Sequence, residues 1–214
     1  MGFSHEDTVE DLRRAYDAKV DERDSSAVEP WKSAERSRFL AMLQAERRQS
    51  LVDIGAATGV HAAFFSDAGV EVTCVDLSHA MAEHCRARGF PAFEQDVLQL
   101  DLTERFAAAF AMNSLLHILP ADLRDALERI RAVLEPGALF YLGQYGGAAF
   151  EGPLPGDHYE PKRYFSRLTD EHLCGVAAEV FTLVDFRAVD VGEDPRGSLP
   201  GAGAAGLRRG MIAM

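Results

Sequence analysis

Residues 51–59 read LVDIGAATG, an apolar run that ends in an acid-bearing turn rich in glycine and alanine. About twenty residues later, Val75-Asp76-Leu77 is a second apolar run that ends in a carboxylate. This pattern is typical of the βαβ unit that binds nucleotides, which consists of a buried strand, a turn of small residues, a helix and a second strand with a terminal acid. The small residues let the backbone approach the ligand, and the downstream acid accepts ribose hydroxyls. The sequence therefore predicts a nucleotide-like cofactor.

In detail, the first turn resembles a motif of class I S-adenosylmethionine-dependent methyltransferases, acidic-x-Gly-x-Gly-x-Gly. Here the motif stands as Asp53-x-Gly55-x-Ala57-x-Gly59, with alanine in place of the middle glycine. The resemblance extends over residues 16–191. It implies S-adenosylmethionine as cofactor, S-adenosylhomocysteine as product and a methyltransferase of the small-molecule type.

The resemblance assigns the methionine end of the cofactor to two strand ends. Asp53 is expected near the ammonium group of the cofactor. The backbone carbonyls around Asn113 are expected to accept hydrogen bonds from the same group. Gly55, Ala57 and Gly59 are expected to pass beneath the methionine and ribose, which for Ala57 requires an ordinary φ. A strand-to-helix turn that needs glycine for its geometry alone is the alternative.

The ribose and adenine are assigned to the next strand end. Asp76 closes an apolar strand, where a carboxylate is costly to desolvate unless it accepts hydrogen bonds, and the two ribose hydroxyls supply them. A helix N-cap is the alternative, but Ser78 already fills that role. Leu77 and Met81 resemble the apolar pair that packs on adenine, although Met81 is equally consistent with simple core.

The adenine amino group is assigned to an acid after the third strand. The resemblance implies Asp96 for this role, with the backbone amide of Val97 facing a ring nitrogen. Asp101 lies further into the same loop and is the competing choice.

Three residues are candidates for a general base. His117 closes the run Met-Asn-Ser-Leu-Leu-His, which resembles a segment of small-molecule methyltransferases where the methyl group is presented. A neutral imidazole there can remove a proton, but a structural histidine bonded to backbone fits equally. His158 and Tyr145 are the other candidates, and a base is needed only for a protonated nucleophile.

The segment from about 143 to 167 is the expected substrate-binding insertion. Its aromatic rings, histidine and arginine suggest a pocket for a small, partly aromatic or acidic molecule, with Tyr159 and Arg163 as contacts. Tyr16 on the first predicted helix is expected to line this pocket from above. Phe165 is expected to close the core instead.

Strands that alternate with helices predict a three-layer, doubly wound, mostly parallel α/β sheet. Residues 1–50 are expected to form a helical lid, residues 51–191 the cofactor-binding core, and residues 192–214 an irregular tail. The predicted strands are 51–54, 71–75, 92–94, 107–112, 138–142 and 180–191. The predicted helices are 8–20, 33–49, 59–67, 78–88, 120–134 and 170–178, with a loop at 21–30.

The tail does not fit the resemblance, which implies a last antiparallel strand. Residues 201–206 read GAGAAG, a run with low β-propensity and a high entropic cost of ordering. We therefore expect the last strand to be missing, with a reading-frame change as a hypothesis for its loss. The strand at 180–191 would then be an exposed edge, a hint of a dimer beside the monomer.

Composition restricts the partners and the compartment. The net charge of −12 argues against nucleic acid, whose binding requires clustered Lys and Arg. The sequence has neither a membrane-spanning apolar run nor a signal peptide. The three cysteines have no metal-ligand spacing, so we expect reduced thiols, no metal and a cytoplasmic protein.

The function expected from these motifs is transfer of a methyl group to a small molecule, to oxygen rather than to nitrogen or carbon. Two alternatives remain. One is a cofactor-binding member of the fold without methyl transfer. The other is a nicotinamide- or flavin-dependent oxidoreductase, which shares the βαβ unit but is expected to show Gly-x-Gly-x-x-Gly, which residues 55–59 lack.

Overall fold

A computed structural model describes residues 3–190 and 207–213 of the chain. Its strands are β1 (Ser50–Ile54), β2 (Glu71–Asp76), β3 (Ala92–Glu94), β4 (Phe106–Met112), β5 (Leu134–Tyr145), β6 (Phe150–Pro153), β7 (Tyr164–Arg167), β8 (Leu183–Asp190) and β9 (Leu207–Ala213). One sheet has the order β3-β2-β1-β4-β5-β9-β8, and its first five strands are parallel. The predicted doubly wound α/β fold is confirmed.

The helices are α1 (His5–Asp17), α2 (Val20–Asp24), α3 (Pro30–Ala45), α4 (Val60–Asp67), α5 (His79–Ala87), α6 (Leu123–Ala132) and α7 (Asp170–Val180). The first begins one turn before the predicted Thr8, because the Ser4 hydroxyl caps it by accepting from the backbone N–H of Asp7. The predicted loop at 21–30 contains α2. None of the described helices is long and apolar enough to cross a membrane.

Side chains that alternate along the strands divide the core into two layers. On β4, Ala109 and Ala111 belong to the cluster that α6 and α7 cover, whereas Phe110 belongs to the cluster that α3 and α4 cover. Cys74 and Cys85 are buried free thiols, and Cys174 is a partly exposed one. This three-layer packing holds the carboxyl ends of β1, β2, β4 and β5 at one edge of the sheet.

The expected loss of the last strand is wrong. Residues 207–213 form β9, which pairs antiparallel with both β5 and β8, and this finding also removes the reason for the reading-frame hypothesis. The prediction weighed the Gly/Ala-rich run 201–206, but the strand begins directly after it. Hydrogen bonds from two neighbouring strands stabilise β9, a contribution that local propensity does not measure. Residues 191–206, including that run, lie outside the described residues.

The segment expected to be an irregular insertion contains a second sheet. Strands β6 and β7 form an antiparallel pair in which Phe150 lies opposite Arg167 and Pro153 opposite Tyr164. Strand β5 also differs from the prediction, because it begins at Leu134, which the helical pattern had assigned to the preceding helix. The β6–β7 pair projects beside the carboxyl edge of the main sheet and contacts the turn Leu115–His117.

Candidate functional site

The turn after β1 has an unusual backbone that its small residues permit. Gly55 has φ +72°, and a Cβ there would lie 2.3 Å from the Cβ of Ser114, so no larger residue fits. Ala57 has φ +49°, in the left-handed region that favours glycine. The ordinary φ on which the expectation for Ala57 depended is therefore not observed. The alanine occupies a conformation that glycine adopts at lower cost.

Two buried carboxyl groups lie beside this turn. Asp76 accepts hydrogen bonds from the backbone N–H of Ala57 (2.8 Å) and of Ser78 (2.9 Å), and burial raises its pKa. Asp53 is 1% exposed and its Oδ2 has no hydrogen-bond partner. Burial, and secondly the charge of Asp76, raises the pKa of Asp53 to about 8. A carboxyl held in this way is stabilised by a cationic ligand, which supplies the charge and hydrogen bonds that water no longer provides.

Further unpartnered acceptor atoms are buried where β4 and β5 end. They are Asn113 Oδ1, Ser114 Oγ and Gln144 Oε1. Asn113 has φ +56°, and its backbone N–H donates to the Gly143 carbonyl at 2.7 Å, which joins the two strand ends. Together with Asp53, these atoms form a group that fits an ammonium ion, which donates hydrogen bonds and accepts none.

Unpartnered nitrogen atoms are enclosed on the helices that face this group. Arg36 on α3 has two buried nitrogens without hydrogen-bond partners, Nε and Nη1. At the start of α4, Nδ1 of His61 is also buried without a partner. Burial, and then the charges of Arg36, Lys32 and Arg23, lowers the pKa of His61 to about 3. The composition of this group fits a carboxylate. His61 lies in the first turn of α4 and is partly buried, with this nitrogen enclosed.

The predicted adenine contacts lie together at the β2–β3 end of the sheet. Met81 is fully buried, and the Ser78 hydroxyl caps its helix as predicted, by accepting from the Met81 N–H. Asp96 accepts from the N–H of Leu98 at 3.0 Å and caps the short helix that Val97 opens. Its second oxygen lies 2.6 Å from the imidazole Nε2 of His5.

Helix α1 reaches across this end of the sheet. Besides the contact of His5 with Asp96, Arg13 Nε donates to the Leu77 carbonyl at 3.3 Å. The Asp17 carboxylate accepts from the Ser78 hydroxyl (2.5 Å) and from the Ala80 N–H (3.1 Å). A cleft of about 480 Å³ lies between α1 and the loop after β3, with Asp96 in its wall.

A chain of hydrogen bonds fixes the protonation of His117. Its Nδ1 lies 2.6 Å from the Tyr164 carbonyl, which only accepts, so Nδ1 carries the proton. Nε2 is therefore the acceptor and receives the Tyr16 hydroxyl proton at 2.8 Å, while Arg163 Nη1 donates to the Tyr16 oxygen at 3.2 Å. Burial, and then the charges of Arg163 and Arg23, lowers the pKa of His117 to about 3.

Aromatic rings and two arginines surround Tyr16. Arg163 stacks on Tyr159 with its guanidinium carbon 3.5 Å from the ring centroid, and binds both oxygens of Asp157 at 2.7 and 3.2 Å. Arg23 lies over the Tyr16 ring at 5.1 Å. The structure thus brings Tyr16, Tyr159, Arg163 and His117 together in one cluster. Half-buried Phe165, expected to close the core, joins it 4.7 Å from the His117 ring.

Comparison with known proteins is decisive for the domain. The sequence profile of the family described as "Methyltransferase domain" matches residues 51–137. The matched residues run from β1 to the start of β5 and contain the turn, both buried acids and His117. This match and the fold confirm the predicted resemblance to class I S-adenosylmethionine-dependent methyltransferases. Among curated protein sequences, none matches this chain.

Solved structures of methyltransferases resemble the chain over nearly its whole length. A 1,6-didemethyltoxoflavin-N1-methyltransferase from Burkholderia thailandensis, with S-adenosylhomocysteine bound, is 25% identical with a TM-score of 0.68, covering 100% of this chain and 90% of that one. A magnesium protoporphyrin IX methyltransferase from Synechocystis PCC 6803 is 12% identical with a TM-score of 0.66, covering 94% and 96%. The CcbJ methyltransferase from Streptomyces caelestis is 18% identical with a TM-score of 0.64, covering 95% and 98%.

Two of the expected bases lie at the margin of this cluster. His158 is largely exposed, and its Nε2 lies 2.9 Å from a carboxylate oxygen of Glu22 on α2. The Tyr145 hydroxyl contacts Glu29 at 3.5 Å, and its ring packs at 6.2 Å from Trp31 on α3.

The sequence did not reveal several polar residues of the candidate site, among them Arg23, Arg36, Ser114 and Gln144. Ser114 and Gln144 follow the ends of strands, a position that could have indicated them. The two arginines lie on helices that precede β1, and no local pattern shows that these helices fold back onto the site.

Proposed function

We propose that this protein transfers a methyl group from S-adenosylmethionine to an oxygen of a small molecule. The observation that carries the proposal is the buried carboxyl of Asp53, whose Oδ2 has no partner, beside the hydrogen-bonded carboxyl of Asp76. When bound, the cofactor supplies a methyl group already activated by the sulfonium, so the protein mainly aligns donor and acceptor. The proposal further places the reaction in the cytoplasm.

Each part of the cofactor has a complementary group. We assign its ammonium to Asp53 and to the strand ends around Asn113, and its ribose hydroxyls to Asp76. The polar atoms that are unpartnered in the structure would then gain partners, which removes the cost of burying them unsatisfied. Gly55, Ala57 and Gly59 keep side chains out of the space that the methionine and ribose need.

The remaining cofactor contacts follow from the same placement. We assign the adenine to Leu77, Met81, Asp96 and the backbone amide of Val97. The carboxylate of the methionine is assigned to Arg36, whose two buried nitrogens match the fork geometry that carboxylates accept.

Oxygen as the acceptor atom is supported by this chain's own residues. The loop after β4 reads Asn-Ser-Leu-Leu-His and lacks the Asn-Pro-Pro-Tyr sequence of enzymes that methylate amide or base nitrogens. The toxoflavin precursor named for the Burkholderia enzyme supports an acceptor of small size, although that enzyme is named for a nitrogen. Tyr16, Tyr159 and Arg163 are proposed to line the acceptor pocket.

The test is calorimetric titration of the wild type and of Asp76→Ala with S-adenosylmethionine and S-adenosylhomocysteine. We expect micromolar binding that the substitution weakens at least tenfold, about 1.4 kcal/mol. Asp67→Ala is the control, because this exposed acid at the end of α4 has no assigned contact with the cofactor, and the affinity of the variant should equal that of the wild type.

Equal affinity of Asp76→Ala and the wild type would contradict the assigned site. Competitive displacement by NAD would favour the oxidoreductase instead. Cofactor binding without formation of S-adenosylhomocysteine in the presence of any acceptor would favour a binding protein that lacks methyl transfer.

A further inference from the structure

We propose that the acceptor binds as an oxyanion, an aromatic carboxylate in the first instance, and that Arg23 is its counter-ion. This inference rests on the proposed methyl transfer and adds to it the chemical class of the substrate and a residue that selects it. Three features support it: the pairing of the two arginines, the position of Arg23 and the protonation of His117.

The two arginines of the cluster differ in their partners. Arg163 has its positive charge matched by Asp157, to which it donates two side-chain hydrogen bonds. Arg23 forms no ion pair with any carboxylate of the described residues, and its Nε is buried without a partner. Within the described part of the chain, the one hydrogen bond of its guanidinium goes to the Tyr159 hydroxyl at 3.5 Å, which is long. A partly buried guanidinium of this kind gains most from an anionic ligand.

Arg23 lies where the cofactor and acceptor sides of the site meet. On one side, burial raises the pKa of the Asp76 carboxyl and the charge of Arg23 opposes this; on the other, burial lowers the pKa of the His117 imidazole and the charge of Arg23 adds to this. Its guanidinium carbon lies 5.1 Å from the centroid of the Tyr16 ring. An anion bound by Arg23 therefore lies between the assigned ribose contact and the aromatic cluster.

The cluster has no group suited to take a proton from a neutral acceptor. Both ring nitrogens of His117 already have partners, the Tyr164 carbonyl and the Tyr16 hydroxyl. A proton that arrived there would create an imidazolium in a buried position near Arg23 and Arg163. An acceptor that is already ionised avoids this cost, and its charge is stabilised by the same arginines.

The proposed step balances without a base. One carboxylate oxygen forms the new O–C bond to the methyl group, while the C–S bond breaks and its electron pair stays on sulfur. The oxyanion and the sulfonium both become neutral, and no proton is released. The rings of Tyr16, Tyr159 and Phe165 provide flat apolar walls, which favour an aromatic acid.

The test uses benzoate as the probe and neutral benzamide as its uncharged analogue. Each is titrated by nuclear magnetic resonance into wild-type protein saturated with S-adenosylhomocysteine. We expect saturable binding of benzoate at least tenfold tighter than that of benzamide, and at least a tenfold loss in Arg23→Gln with partial recovery in Arg23→Lys. Arg14→Gln, an exposed arginine on α1, is the control for net charge and should match the wild type.

The affinity for S-adenosylhomocysteine, measured on each variant, separates the possible failures. Arg23→Gln should keep this affinity within about twofold, which also shows that the variant is folded. A tenfold loss would place Arg23 at the cofactor and overturn the proposal. Absence of saturable benzoate binding, or equal binding of benzamide, would also overturn it. A folded wild type that does not bind S-adenosylhomocysteine would instead contradict the proposed function.

Discussion

At the scale of single residues, Ala57 is held in a backbone conformation that an L-residue adopts at a cost. Its φ of +49° raises the energy of the folded state by roughly 1 kcal/mol relative to glycine. We expect Ala57→Gly to leave the free energy of unfolding unchanged or to raise it by about 0.5 kcal/mol, because relief of strain offsets the greater freedom of the unfolded chain. Urea unfolding measures this change.

The neighbouring Ala56 provides the matched control. It is buried and its φ is not positive, so Ala56→Gly removes a packed methyl group and relieves no strain. This variant should lose about 1 kcal/mol. Equal losses in the two variants would show that the conformation at Ala57 carries no strain.

Asp53 makes stability depend on pH. Its pKa is about 8 in the folded protein and near 3.8 when exposed, so the folded state binds the extra proton between these values. The stabilisation is fully present below about pH 4 and is lost as the pH rises toward 8. We expect the free energy of unfolding to fall between pH 5 and pH 8 by at least about 1.4 kcal/mol more than in Asp53→Asn. Identical pH slopes in urea unfolding would contradict the burial of an uncompensated carboxyl.

The two acids and the three arginines differ in how far the sequence revealed them. Asp53 and Asp76 end consecutive strands of one local motif, so their proximity follows from the parallel sheet. Arg23 and Arg36 lie on helices that precede β1, and Arg163 lies just before β7. Their approach to the site depends on how these helices and the β6–β7 pair pack on the sheet. Spacing along the chain carries no signal for contacts of this kind.

At the scale of elements, hydrogen bonds to the Asp17 side chain connect α1 to α5. The carboxylate accepts two hydrogen bonds at the start of α5, and bonds to a charged group contribute about 1.5–3 kcal/mol each. We expect Asp17→Ala to lower the amide-exchange protection of α1 by tenfold or more. Dissociation of S-adenosylhomocysteine should accelerate as well, if the lid proposed from residues 1–50 encloses the cofactor.

Asp11→Ala tests whether that effect belongs to the contact with α5. Asp11 lies on the same helix and pairs only with Arg14, three residues along, in an exposed position. Exposed pairs of this type contribute little, so the variant should match the wild type. Loss of protection in both variants would indicate that α1 is weakly helical and that α5 does not hold it.

Among the elements, periodicity predicted α6 well but not the β6–β7 pair. Leu123, Leu127 and Ile130 recur at helical spacing and are buried against one layer of the sheet. Strand β6 contains glycine and proline, and both strands have only four residues, too few for an alternation to be detected. They form because contacts with each other and with the turn at His117 stabilise them.

At the scale of the whole molecule, β9 is the strand that joins β8 to the rest of the sheet. Truncation after Gly206 removes its hydrogen bonds to both neighbours and leaves the edge of β5 unpaired. We expect this variant to aggregate on expression or to melt at least about 10 °C lower, because an open hydrophobic edge is a template for association. Truncation after Ala213 keeps β9 and is the control.

The net charge gives an incomplete description of the molecule. A charge of −12 argued against nucleic acid, yet the described residues gather Arg23, Arg36 and Arg163 around the site. The net charge of the whole chain does not report such local electrostatic fields, which determine whether the site favours an anionic or a cationic ligand.

Strand β8 lies at an edge of the sheet. A homodimer that forms through this edge stays a prediction, which equilibrium sedimentation can test.

The insertion of β9 between β5 and β8 also sets an order of assembly. During synthesis, β8 emerges from the ribosome before β9, the strand that connects it to the sheet. Until β9 is synthesised, β8 has no neighbouring strand to pair with, whereas the first five strands are already complete. The parallel core, with the carboxyl ends that carry Asp53 and Asp76, is able to form before β8 is anchored. Ribosome-bound chains are therefore expected to form the cofactor pocket while the edges of β5 and β8 are still unpaired and able to associate with other chains.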